Sequence, residues 1–207
     1  IKTATGQLGG AFHAQSGQEF FARVCAQAGS EAGRVYLLGL LGHYCLDSVC
    51  HPYVEKKDAE GSARHVELES EFDRYLLESD GIPQPHTYDG SAHMRLTRGE
   101  CVTVALFYPP ATPANIHTCV RNMARATRFL ASKNRRRVRR LLHLTHKAYV
   151  EDQLMPDHGS DRWLWMDSEM LVLYNRALKR YPVLLSQLDE HMRTGEPLGE
   201  DFAPAFG

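Results

Sequence analysis

Apolar residues recur at helical spacing along most of this chain, and no stretch alternates convincingly as a half-buried strand would. The segment Gly17–Ala28 gathers Phe20, Phe21, Val24 and Cys25 on one face. Ser30 with Glu31 reads as a helix start, leading into a long helix over about 31–50 that Pro52 ends or kinks. A polar connection, EKKDAEG at 55–61, precedes a second helix that Ser62 can cap and that runs to about Ser79. Pro, Gly and Asp occupy turn positions in 80–93, which read as an exposed loop. Further helices are expected over about 94–107 and, after Tyr108-Pro109-Pro110, from Pro113 to about Ser132. In the latter, Ile116, Val120, Met123, Thr127 and Leu130 form the expected buried side. The run KNRRRVRR, 133–140, leads into a helix ending near Tyr149, and a last helical region spans about 165–193 with Pro182 inside it. From Thr194 the periodicity fades, so the tail reads as loose or draped. The expected class is all-α, a single multi-helix bundle over 1–193 with an irregular tail at 194–207.

Two of these helices carry polar groups where apolar ones would be expected. At about 100° per residue, His43, Asp47 and His51 fall within roughly 80° of arc. His65, Glu69 and Asp73 repeat the same i, i+4, i+8 row. Imidazole and carboxylate on a largely apolar face are costly unless something compensates them. Ordinary His–Asp hydrogen bonds are one answer. A divalent cation is the other, because neutral imidazole and carboxylate are what zinc binds.

Composition narrows the picture without redirecting it. The chain has 207 residues and a net charge of −1, so bulk charge selects no polyanionic partner. No apolar run approaches the ~20 residues needed to span a bilayer. Cys25, Cys45, Cys50, Cys101 and Cys119 form no CxxC pair, which points to reduced thiols and a cytoplasmic setting. Cys50 alone lies near the ligand arc, and it reads as packing. The basic run could grip phosphate or an anionic surface, or simply form a solvated face.

The residues His43-Tyr44-x-x-Asp47, His51 and His65-x3-Glu69-x3-Asp73 resemble the bacterial zinc-dependent phospholipase C family. The likeness covers about 8–78. It includes the gap from His51 to His65 and a further histidine on the preceding segment, for which His13 is the candidate. DHGSDRW, with Asp157, His158 and Trp163, looks like a landmark of the same family.

The resemblance implies an all-α bundle of the phospholipase C type whose zinc cluster hydrolyses phosphodiesters. By position, His13, His43 and Asp47 would hold one Zn2+, and His51, His65 and Glu69 a second. Asp47 would also reach toward a third ion, completed by residues upstream of Ile1. Asp47 and Glu69 would act in catalysis through the metal, and Asp73 would orient an imidazole from behind. The spacing from Asp47 to His51 is two residues shorter than in the secreted phospholipases.

The partner implied is a phosphodiester, with phospholipid as one candidate and peripheral membrane contact as its corollary. A nucleic-acid substrate is the alternative enzyme reading, because zinc-dependent single-strand nucleases resemble this fold and cluster. The non-enzyme alternative is an inactive, zinc-stabilised helical module that binds a partner.

Overall fold

The computed structural model describes residues 10–206, and among these the chain is all-helical, with no strand. The principal helices are α1 (Gly17–Val24), α2 (Glu31–Ala59), α3 (His65–Ser79), α4 (Arg98–Phe107), α5 (Pro113–Leu130), α6 (Arg135–Leu144) and α7 (Leu164–Thr194). Short 3-10 turns link several of them. The described chain divides into two compact units, one from 10–52, 96–119 and 173–206, the other from 53–95 and 120–172.

In the first unit, Ser16 caps α1 by accepting a hydrogen bond from the Glu19 N–H at 3.2 Å. The apolar face of α1, Phe20, Phe21 and Val24, then buries fully against Leu37, Leu41 and Tyr44 of α2 and Leu184 and Leu188 of α7. Phe21 meets Tyr44 edge to face at 5.4 Å, and Tyr44 stacks on Phe202 at 5.7 Å. Gly17 leaves room for the Tyr44 ring of α2. A Cβ there would lie 2.5 Å from Cζ of Tyr44.

The C-terminal tail is irregular but not loose. Leu198, Phe202 and Phe206 are all buried in this core. The Pro204 carbonyl accepts hydrogen bonds from the Gly17 N–H at 2.9 Å and the Tyr44 hydroxyl at 3.1 Å. Arg180 of α7 donates to the Asp201 carbonyl, and Gln18 donates to the carbonyls of Leu198 and Gly199. These bonds satisfy a backbone that no helix satisfies.

In the second unit, α3 turns Leu68, Glu71, Phe72 and Arg74 inward. Arg74 donates to Glu71 at 2.9 Å, pairs with Glu78 and lies 3.8 Å from Asp167. Its guanidinium occupies the space that a Cβ on Gly159 would need, at 2.7 Å. A smaller core of Val138, Leu142 and Leu154 seats α6.

Several boundaries differ from the sequence expectation. Helix α2 runs through Pro52 to Ala59, and Val54 beyond the proline is buried, so packing outweighs the lost backbone bond. Ser62 does not cap α3. The helix starts at His65 after an uncapped Arg64, while the Ser62 carbonyl accepts from Arg162. Helix α4 begins only at Arg98, because Thr97 and Glu100 form a capping box there. Helix α6 stops at Leu144, where the Thr145 hydroxyl bonds back to Leu141 O and His146 turns to a φ of 55°. On α5, Ile116 is buried but Met123 is exposed, so the expected buried side is only partly covered.

Candidate metal centre

Asp47 is the hub of the first unit's polar cluster. Because α2 is unbroken from 31 to 59, its i−4 and i+4 neighbours His43 and His51 flank Asp47 on one face. Asp47 Oδ2 lies 3.1 Å from His43 Nε2, and Asp47 Oδ1 lies 3.8 Å from His51 Nε2. The third imidazole comes from outside the helix, with His13 Nδ1 3.8 Å from Asp47 Oδ2.

His13 is placed by its neighbour. Phe12 packs edge-on against Phe20 and Tyr108, with the Arg23 guanidinium over its ring at 5.2 Å. The helical turn that carries both residues closes through the Ala14 N–H to the Gly10 carbonyl. The rings of His13 and His43 then meet edge to face at 5.3 Å, and Phe206 lies within 6 Å of both. Phe206 therefore borders the site. Nothing in its local sequence context announces this.

The donor set suits a divalent cation. One donor atom each from His13, His43 and Asp47 lies within 4.8 Å of the others. A tetrahedral ion with ligands at 2.0–2.1 Å separates its donors by about 3.3 Å, and the 3.1 and 3.8 Å spacings straddle that value. Burial lowers the pKa of His13, and the nearby His43 and His51 add to this while Asp47 opposes it. That direction favours the neutral imidazole a cation needs. Asp47 is sheltered at 14% side-chain exposure while His43 stays half exposed at 49%, so the cluster opens to solvent on the His43 side.

In the second unit, His65 Nε2 and Glu69 Oε1 are 3.0 Å apart across one turn of α3. Asp73 continues that row as an exposed carboxylate. Among the described residues no hydrogen bond joins Asp73 to an imidazole. Cys50, beside Asp47, is buried, and burial pushes its thiol up to about 11, the behaviour of a packing residue.

The DHGSDRW stretch has structural work in the second unit. Asp157 lies 3.3 Å from Arg135 Nε and 3.9 Å from His86 Nε2, Gly159 makes room for Arg74, and Trp163 is buried beneath the Arg162 guanidinium. His143 pairs with Glu151 at 2.7 Å, a partner that helical spacing cannot reveal because it lies beyond the end of α6.

No protein-family model, curated protein or solved structure matches the chain. No helix among the described residues is long and apolar enough to cross a membrane.

Proposed function

We propose that this chain is a zinc-dependent phosphodiester hydrolase of the phospholipase C type. The observation that carries the reading is Asp47 ringed by the imidazoles of His13, His43 and His51 on a solvent-accessible face. The first ion falls to His13, His43 and Asp47. The His65–Glu69 pair is the start of a second site within the second unit. Bound zinc supplies positive charge that polarises a phosphate oxygen and lets a water lose its proton near neutral pH.

The chain's own groups do the rest. Asp47 offsets the cation's charge and holds the His43 ring in line. The nitrogens facing Asp47 are His13 Nδ1 and His43 Nε2, so in the ligand state their protons sit on His13 Nε2 and His43 Nδ1. The exposed edge of His43 leaves an approach for an anionic substrate. Phe206 closes the apolar side of the cluster.

Elemental analysis of chelator-free protein, with hydrolysis of bis(p-nitrophenyl) phosphate, tests this. Bound zinc and turnover that both fall in Asp47→Asn support the hydrolase. Zinc without turnover of that ester, a phospholipid or an oligonucleotide leaves a zinc-stabilised binding module. Turnover confined to oligonucleotides makes it a nuclease.

A further inference from the structure

The second unit presents a cationic face that the metal cluster does not use. Helix α6 turns Val138 and Leu142 into its small core, with Leu154 beneath them. On the opposite side, Arg136, Arg140 and Leu144 follow one another at i, i+4, i+8, with Lys133, Arg137 and Arg139 alongside. All six are exposed.

An ordinary solvated helix face interleaves both signs of charge. This one does not. Two carboxylates do pair with α6, but at other positions, Asp157 with Arg135 and Glu151 with His143. Among the described residues, Lys133, Arg136, Arg137, Arg139 and Arg140 have no carboxylate within ion-pair distance. The face is also not purely polar. At the C-terminal end of the helix, Leu144 is 70% exposed, and Tyr149 just beyond it is 74% exposed.

We propose that the outward face of α6, with Leu144 and Tyr149, docks this protein on an anionic phospholipid surface. Clustered arginines are drawn to acidic headgroups, each basic residue adding to the attraction within a Debye length. The exposed leucine and tyrosine then supply what charge alone does not, an aliphatic group for the acyl boundary and an amphipathic ring for the headgroup level. A nucleic-acid backbone would use the arginines equally well. It offers Leu144 nothing, and a single-strand binder would present several stacking rings where this face has one. The surface depends on neither zinc nor turnover, so its failure and that of the hydrolase reading are separable.

The test is co-sedimentation of the full chain with vesicles of three parts phosphatidylcholine to one part phosphatidylserine, and with phosphatidylcholine alone. Two variants are compared, Arg136→Glu/Arg140→Glu and Leu144→Ser/Tyr149→Ser. Their changes are exposed, so each should keep the wild-type melting temperature. Binding to the acidic vesicles only, weakened about tenfold or more by the arginine reversals and several-fold by the serine pair, is the expected result. No binding to acidic vesicles at about 0.1 M salt would overturn the proposal. So would binding indifferent to the arginine reversals. Indifference to the serine pair, with a 20-nucleotide oligomer bound more tightly than the vesicles, would assign the face to nucleic acid instead.

Discussion

The ring of Phe206 lies 5.8 Å from that of His43, although the two residues are far apart in the chain. The tail thus wraps back to border the cluster, and it is held there by Pro204 O at Gly17 and Tyr44. Stability and affinity at the proposed metal site should therefore be coupled through this contact.

Truncating Phe206 to Ala should cost about 3 kcal/mol, since the ring is almost fully buried among Phe20, Phe21 and Tyr44. It should also weaken zinc binding. A urea titration and a competitive zinc chelator assay read the two effects. A variant as stable as the wild type would show that the tail does not hold the core.

Replacing Asp47 by Asn keeps the shape but removes the charge that three imidazoles share. Zinc content should fall by about one ion per chain, and turnover by at least about 100-fold. Elemental analysis and an ester hydrolysis assay decide. His65→Ala should lower zinc content by a different ion, so the double variant should lose both.

Gly17→Ala places a methyl group against the ring of Tyr44. That ring cannot swing aside, because it is fully buried and stacked on Phe202. The expected loss is about 2 kcal/mol, read as a lower denaturation midpoint. Gly39 meets no atom within 4 Å, so Gly39→Ala, in mid-helix, should instead hold or raise the midpoint.

Asp167 shows which way acid acts on the second unit. Burial, and then the neighbouring Glu71, push its carboxyl up to about 6, with Arg74 only partly offsetting them. A folded-state pKa above the unfolded 3.8 means the folded state holds the proton more tightly. The contribution of Asp167 is therefore best at low pH and declines as pH rises from about 4 to about 6. Asp167→Asn lacks that decline, so between pH 4 and 7 its stability relative to the wild type should improve by about 2 kcal/mol. Paired urea melts at the two pH values measure it. A pH-independent difference would mean that Asp167 ionises normally.

What the sequence by itself determined was whatever one helix can determine. The all-α class and the positions of most helices follow from 3.6-residue periodicity, because helical hydrogen bonds are local. The same geometry made His43, Asp47 and His51 a row, and His65 and Glu69 a pair, before any packing was known. Pro52 misled for the complementary reason. Its local penalty is real, but the burial of Val54 lies outside the reach of local rules. The tail held a faint signal, since Leu198, Phe202 and Phe206 stand four residues apart, yet Gly195, Pro197, Gly199 and Pro204 hid it.

The resemblance grouped His13 with Asp47, but only the tertiary structure decided that Phe206 borders His13 and His43, and that Arg74 reaches Asp167. Each of these joins segments far apart in the chain. Such contacts depend on how whole faces close over one another, and spacing along a single element carries no record of that.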